Sequence, residues 1–420
     1  MIYPIEYRCL QNSRLDINTI SDEILVNTNL LTTDSRELDG KQYFICFKGE
    51  NFDAHDYAQD LCSNPAIKYV FVEKELDFES EKLVKVDSTL AFYHELANKY
   101  RKLVNPKVIA VTGSAGKTTT KNLFHLVFQH RFKTHATQKN FNNEYGVPKT
   151  ILSMSRDTQV LILEMGMRGL GQIDLLTKTA EPDYACITNI GTAHIELLGS
   201  RENIRKAKLE IINGLKPGGR IFVDAKLKEF LESSDEYQAI ISENDLGLNS
   251  FTYLKYAFTP LYLVTEGLLL DMGLVRQVAL DFGLGDEFIS SLFEVYQPDD
   301  GRGNFLLFED LNGIKNVIFI DETYNSNIEA VRNSISGMKD MFPGNKKIAV
   351  LGDIKESDPM QVEVLFKQMN DDPDLDFVDA RFLDKLEAKF MLDQMLADEC
   401  IVFFKASRSE KLEELIELYR

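Results

Sequence analysis

The chain has 420 residues, of which 44% are hydrophobic and 27% charged, and its formal net charge at pH 7 is −19. This length exceeds one ordinary domain core, so we expect a globular protein of two or three domains. Nucleic-acid binding needs a basic face, and the acidic balance therefore argues against nucleic acid as a general partner. A local cleft can still be positive and bind a small anionic substrate.

The cysteines are scattered along the chain and form no C-x-x-C pair: Cys9, Cys46, Cys62, Cys186 and Cys400. This pattern predicts buried free thiols in a reducing compartment, and neither disulfides nor a zinc site. The N-terminal residues lack the pattern of a signal peptide, and no apolar run has the length of a membrane span. We therefore expect a cytoplasmic protein without membrane insertion.

The first part of the chain, up to residue 104, is predicted to form an N-terminal domain without a phosphate-binding loop. Short strands are predicted over 42–47 and 68–72, and an amphipathic helix over 88–104. Asn105-Pro106 follows this helix and indicates a domain boundary.

The next segment, VIAVTGSAGKTTTK at 108–121, carries the clearest functional signal. An apolar strand ends at Gly113, Gly116-Lys117-Thr118 follow, and 122–128 are predicted to be helical. Such a strand, glycine loop and helix start bind a nucleotide triphosphate: loop amides and the lysine contact phosphates, and the threonine ligates Mg²⁺. The spacing is a shortened variant, because Val111 stands where G-x-x-x-x-G-K-(S/T) has its first glycine. The alternative is a glycine turn with a solvated lysine.

From residue 107 onward, predicted strands and helices alternate. Strands over 160–164 and 184–189 alternate with helices over 173–178 and 202–215. This alternation predicts an α/β domain with a parallel sheet, helices on both faces, and ligands at the carboxyl ends of the strands. The stretch 225–300 shows no clear pattern.

Polar residues follow two of these strands. Glu164 ends one strand and His194 follows another, so with Thr118 they could hold Mg²⁺ beside the phosphates and the substrate. Taken alone, Glu164 could cap a helix and His194 could be a loop histidine. Lys208 falls in a helix, and composition alone favours a solvated charged face. The amide-rich stretch 140–148 suits hydrogen bonding to sugar and peptide groups, or a turn with asparagine caps.

The last part of the chain predicts strands over 316–321, 347–351 and 401–404. These strands indicate a small dinucleotide-fold-like domain.

Ten motifs occur in order along the chain: TDSR (33–36), FKGENFDAH (47–55), TGSAGKTT (112–119), NFNNE (140–144), EMG (164–166), ITNIGTAH (187–194), AKLEI (207–211), DETYNSN (321–327), LGD (351–353) and KASR (405–408). Together they resemble the Mur ligase family of peptidoglycan synthesis. The resemblance implies a UDP-substrate-binding domain at 1–104, a P-loop ATP-binding domain at 105–312 and a shortened Rossmann-like domain at 313–420.

The activity implied by the resemblance is ATP-dependent amide ligation. The closest family members add D-alanyl-D-alanine to UDP-N-acetylmuramoyl-tripeptide through an acyl phosphate. ATP and Mg²⁺ are the implied cofactors, a UDP-muramoyl-peptide and a dipeptide the substrates, and we expect a monomer. Two alternatives stay open: a Mur-like ligase with another donor or acceptor, and a catalytically silent Mur-like binding protein.

The resemblance also implies roles for individual residues. The catalytic residues would be Lys117, Lys208 and His194, with Lys208 carbamylated by CO₂ so that it can hold a second Mg²⁺ with His194, while Thr118 and Glu164 hold the first. Residues implied to contact the nucleotide are Gly113, Ser114, Ala115, Gly116, Lys117, Thr118, Thr119, Arg302, Asp321, Tyr324 and Asn325. Residues implied to bind the UDP-substrate are Ser35, Arg36, Asn140 and Asn143.

Three departures from the family pattern bear on the substrates. The family's Gly-x-His-Asn motif, whose asparagine meets the adenine, is expected near 266–273, where the chain reads EGLLLDMG. Ile328 replaces a proline after the Asn-x-Asn pair, and the region after Leu351 is shorter than usual. Since the dipeptide site lies partly in this last domain, the shortening affects the second substrate more than the first.

Overall fold

The computed structural model of the protein describes residues 17–49, 51–191, 195–224, 238–242, 262–355 and 357–420. Within these ranges the strands form three sheets. The chain is an α/β protein, as predicted.

The first sheet is parallel, with the strand order β1-β2-β3-β4: Leu31–Thr32, Tyr43–Ile45, Tyr69–Val72 and Leu83–Lys85. It is accompanied by the α-helices Ile17–Val26, Ala58–Ser63 and Thr89–Val104 and the 3₁₀ helices Thr28–Leu30 and Ala54–Tyr57. The predicted helix before the domain boundary is confirmed. The Ser88 hydroxyl caps it by accepting from the Ala91 N–H, and Asn105 ends it in the left-handed conformation, with φ 52°.

The second sheet is also parallel, with the order β10-β9-β8-β5-β7-β6. Its strands are β5 Lys107–Thr112, β6 Thr134–Ala136, β7 Val160–Glu164, β8 Tyr184–Ile187, β9 Arg220–Asp224 and β10 Gln238–Ser242. Its helices are Lys117–Gln129, Gly146–Ser153, Gln172–Ala180, Ile195–Leu198, Arg201–Leu209, the 3₁₀ helix Glu210–Gly214, Glu266–Asp281 and Asp286–Glu294.

The strands of this sheet are apolar on both faces because helices cover both sides. In β5, Val108 and Ala110 belong to one core, and Ile109 and Val111 belong to the other. The last two helices of the sheet, which sequence reasoning did not find, pack on Lys117–Gln129 and complete the second core.

The strand order sets the position of the candidate site. β5 lies between β7 and β8, with Val111 opposite Glu164 and Thr112 opposite Ile187. All three strands run in the same direction, so their carboxyl ends meet at one edge of the sheet. The segment after β5, which carries the glycines and Lys117, therefore begins beside Glu164.

The third sheet has the order β11-β12-β15-β13-β14: Asn304–Leu311, Ile314–Glu322, Ile401–Lys405, Lys347–Leu351 and Asp376–Asp379. Its helices are Ile328–Met341, Pro359–Asn370, Lys385–Met395, Glu413–Glu417 and the 3₁₀ helix Arg408–Glu410. Helices cover both faces of its parallel part, as in the predicted Rossmann-like arrangement. We call residues 304–420 the third lobe.

An antiparallel hairpin extends the third sheet at one edge. β11 and β12 are joined by Asn312-Gly313, and both residues have the positive φ that a tight hairpin turn requires. The third sheet therefore begins at Asn304, before the predicted boundary after residue 312. The division into three domains stays a prediction.

Two sequence expectations concern the surroundings of the protein. In the part of the chain that the structure describes, no helix is both long and apolar enough to span a bilayer. Cys46, Cys62, Cys186 and Cys400 are free thiols, and burial raises the pKa of the Cys46 thiol to about 12. Cys9 lies outside the described residues.

Candidate active site

The phosphate loop, residues 113–119, follows β5 and leads into the helix Lys117–Gln129. Gly116 has φ 79°, and a Cβ there would lie 2.6 Å from the Asp271 Oδ2. A Cβ on Gly113 would lie 1.8 Å from the Thr188 Oγ1. Both positions thus require glycine, because the Asp271 and Thr188 side chains occupy the space that a Cβ would need, and this close packing holds the loop backbone in its tight turn.

The segment after β8 fixes the shape of this loop. The Asn189 Oδ1 accepts from the backbone N–H groups of Ser114 and Ala115, at 3.1 and 2.9 Å. The Gly191 N–H donates to the Ser114 hydroxyl at 2.9 Å. Sequence reasoning quoted Asn189 in a motif but gave it no role; its contacts show that it positions the phosphate loop.

Lys117 lies in the phosphate loop and is the first residue of the helix Lys117–Gln129. Its Nζ donates to the Gly113 carbonyl at 2.8 Å, so the ammonium group lies over the loop. All seven predicted loop residues, from Gly113 to Thr119, line one cavity. We call it the nucleotide cavity.

Glu164 lies in this cavity and is only 2% exposed. The Asn142 Nδ2 donates to its Oε1 at 2.8 Å, and its Oε2 is buried without a hydrogen-bond partner among the described residues. A buried carboxylate oxygen without a donor suits a cation. Thr118 lines the same cavity, and its hydroxyl and the Glu164 carboxylate are oxygen donors of the kind that Mg²⁺ prefers. His194 lies outside the described residues.

The asparagines of the stretch 140–148 make different contacts. Asn143 caps the helix Gly146–Ser153, since its Oδ1 accepts from the Gly146 N–H at 2.9 Å, which supports the alternative of an asparagine cap. Asn140 and Asn143 both line the nucleotide cavity. Sequence reasoning missed Asn142, which holds Glu164; the only signal was its place between two predicted site residues.

Replacing Asn142 by alanine should weaken the binding of the Mg²⁺ that the reaction needs. Without the amide donor, Glu164 loses the contact that orients it, and we expect the Mg²⁺ concentration for half-maximal activity to rise about 10- to 100-fold. A magnesium titration of ATP turnover checks this. An unchanged half-maximal concentration, in a variant with the wild-type melting temperature, would show that Asn142 does not orient the carboxylate.

Lys208 lies on the helix Arg201–Leu209 and is 2% exposed, whereas the Lys206 side chain on the same helix is 59% exposed. The interpretation as a solvated face is therefore right for Lys206 and wrong for Lys208. Burial lowers the pKa of Lys208 well below that of an ordinary lysine, and the charge of Lys117 lowers it further. An uncharged amine is the form that reacts with CO₂.

The third lobe and Arg302, which lies just before it, supply another wall of the cavity. The Arg302 Cζ lies 4.3 Å from the centroid of the Tyr324 ring, and the Arg408 Cζ lies 5.7 Å from it. Arg302, Tyr324 and Asn325 all line the cavity. Asp321 does not line it: its Oδ1 accepts from the Thr323 N–H and hydroxyl, and burial raises the pKa of its carboxyl.

Ser35 and Arg36 lie in the turn that follows β1 of the first sheet, and they do not line the nucleotide cavity. Arg36 is exposed and pairs with Asp34, which lowers the pKa of that carboxyl to about 2. The structure thus gathers the predicted phosphate and metal residues it describes, and leaves these two apart from them.

Comparison with known proteins bears on what such a cavity does. The Mur ligase middle domain profile matches residues 111–247. The UDP-N-acetylmuramoyl-tripeptide--D-alanyl-D-alanine ligase of Synechocystis is 32% identical over 369 residues, which cover 83% of this chain and 77% of that protein. This chain belongs to the Mur ligase family. The family assignment made from the ten motifs is confirmed.

Two further Mur ligases match part or most of the chain. The enzyme of the same name from Bacillus subtilis is 44% identical over 191 residues, which cover 45% of this chain but only 42% of that protein. The crystal structure of MurF ligase from Thermotoga maritima in complex with ADP has a TM-score of 0.77 and 25% identity, and covers 93% of this chain and 96% of that chain.

Proposed function

We propose that this Mur ligase joins D-alanyl-D-alanine to UDP-N-acetylmuramoyl-tripeptide at the expense of ATP. The observation that carries the proposal is the single cavity lined by the phosphate loop, Glu164 and Lys208. The names of the Synechocystis and Bacillus subtilis relatives support the substrates, and the ADP bound to the Thermotoga maritima structure supports the nucleotide.

The residues present fit ATP and Mg²⁺. The phosphate loop lines the nucleotide cavity at the start of the helix Lys117–Gln129, where backbone N–H groups can meet phosphates, and the buried Oε2 of Glu164 suits a cation. When bound, Mg²⁺ would neutralise phosphate charge. Thr118 and Glu164 would hold it, and carbamylated Lys208 would serve a second ion together with His194. These ligand roles are part of the proposal.

The reaction needs an activated acyl group, because a carboxylate does not react with an amine in water. A carboxylate oxygen of the tripeptide attacks the γ-phosphorus of ATP, and ADP leaves. The dipeptide amine then attacks the acyl carbon, a proton is lost from nitrogen, and phosphate leaves with the former carboxylate oxygen. Lys117 and the loop amides stabilise the negative charge on the phosphates through both steps.

An acyl phosphate must be protected from water. The nucleotide cavity lies between the second sheet and the third lobe, and Tyr324 and Arg302 form part of its wall. We propose that approach of the third lobe excludes water from the intermediate. Ser35 and Arg36 would contact the uridine diphosphate end of the substrate. We propose that the reaction takes place in the cytoplasm, where ATP and UDP-sugars are available.

The proposal is tested with purified protein, Mg²⁺, ATP, UDP-N-acetylmuramoyl-tripeptide and D-alanyl-D-alanine. We expect one ADP per ligation and a product heavier than the tripeptide by one dipeptide less one water, measured by mass spectrometry. A panel of other dipeptides tests whether the shortened third lobe has changed the specificity for the second substrate. No product from any of them, with ATP bound normally in calorimetry, would favour the silent binding protein.

A further inference from the structure

The nucleotide cavity continues beyond the phosphate loop along the helix Glu266–Asp281. Asp271 on this helix lies against Gly116, and Gly267 precedes it by four residues. Residues four apart share a helix face and are separated by about 6 Å along the axis. With its phosphates in the loop, a nucleotide would therefore extend its ribose and base along this wall toward Gly267.

A side chain of the third lobe meets the wall at this place. Asn333 lies on the helix Ile328–Met341, is half-buried and lines the cavity. A Cβ on Gly267 would lie only 2.7 Å from the Asn333 Nδ2, and the Gly267 N–H donates to the Asn333 Oδ1 at 3.4 Å. The glycine thus allows the close approach of the amide group.

The surroundings suit a flat aromatic base. Leu263, Leu268 and Tyr296 line the cavity near the same helix. Between Glu266 and Gly273 no residue carries an amide side chain. Asn333 supplies an amide at this wall through its contact with Gly267.

An amide side chain has the chemistry that distinguishes purines. Its oxygen accepts from the N6 amino group of adenine while its nitrogen donates to a neighbouring ring nitrogen. Guanine presents an oxygen and an N–H at the same two positions, and the Gly267 N–H, which donates to the Asn333 Oδ1, opposes the flip of the amide that would match them.

We infer that Asn333 selects adenine, and that it does so from the third lobe. The inference rests on the proposed use of ATP and adds the residue that reads the base. Asn333 belongs to the third lobe, whereas the phosphate loop follows a strand of the second sheet. Base selection therefore depends on the third lobe being packed against the helix Glu266–Asp281. The phosphates alone can bind without it.

The test compares ATP with GTP in Asn333→Ala and in Arg332→Ala. Arg332 is the exposed neighbour on the same helix and pairs with Gln368, so it is the matched control. Dissociation constants come from calorimetry with Mg²⁺, and kcat/KM from ADP or GDP release. We expect the preference for ATP to fall about tenfold or more in Asn333→Ala and to stay unchanged in Arg332→Ala.

Asn333→Asp sharpens the test because it keeps the size of the side chain. A carboxylate accepts from the N1–H and the amino group of guanine, so the nucleotide preference of this variant should shift toward GTP. If Asn333→Ala loses stability, the preference measured in Asn333→Asp tests the inference in its place. An unchanged ATP preference in both variants would overturn the inference. Wild-type protein that prefers ATP in calorimetry but forms no amide would overturn the proposed function and not this inference.

Discussion

Removing the amine of Lys208 is expected to abolish ligation, with kcat falling by at least about 10²-fold. The proposed carbamate turns a buried uncharged amine into an anion that holds a metal. Lys208→Met tests this best because methionine keeps the apolar stem that packs in the interior. Excess bicarbonate should not rescue the variant, since the nitrogen that reacts with CO₂ is gone.

Lys206→Ala is the matched control, because Lys206 lies on the same helix but is exposed. It should retain wild-type kcat. The carbamate itself can be followed by NMR after incubation with ¹³C-bicarbonate, with a signal expected from the wild type and absent in Lys208→Met. Substantial ligation by Lys208→Met would show that the carbamate assignment is wrong.

The lowered pKa of Lys208 also sets the pH dependence of activity. Only the uncharged amine accepts CO₂, so activity should fall as the pH drops through the pKa of this group. Since burial lowers that pKa, activity should persist to a lower pH than an exposed lysine would allow. Carbamate signal and kcat should decline together in a pH titration.

Lys117→Ala is expected to weaken ATP binding by roughly 10²-fold and to lower kcat as well. Its ammonium group lies over the phosphate loop, where it would meet the terminal phosphates in the ground state and in the transition state. Loss of affinity and loss of rate should therefore occur together. Calorimetry with ATP and Mg²⁺ measures the first, and ADP release measures the second.

Lys107→Ala is the control for the loss of a nearby positive charge. Lys107 begins β5, is exposed and pairs with Asp183 at 2.9 Å, away from the loop. It should bind ATP as the wild type does. If Lys117→Ala bound ATP with unchanged affinity, the segment 113–119 would not be a phosphate loop.

The parallel sheet around the site could be predicted because local patterns determine it. β7, at Val160–Glu164, has the predicted bounds, since a buried strand in a parallel sheet is a continuous apolar run that ends at its polar residue. The helix after Ser88 was predicted because its start and end carry their own capping signals. The phosphate loop followed from the spacing of two glycines and a lysine.

What the sequence could not provide depends on contacts between distant segments. The burial of Lys208 results from packing of its helix, so composition placed it on a solvated face. Asn142 supports Glu164 across 22 residues of sequence, and Asn333 meets Gly267 across 66. The helix Glu266–Asp281 lies in the stretch 225–300, where no pattern was clear, although it forms a wall of the cavity.

In the proposed reaction, the γ-phosphate of ATP and the carboxylate of the muramoyl-peptide meet in one cavity. Transfer of an oxygen atom tests this most directly. With ¹⁸O in both oxygens of the terminal carboxylate, each ligation should release inorganic phosphate carrying one ¹⁸O atom, measured by mass spectrometry. Amide formation accompanied by phosphate free of ¹⁸O would contradict the account.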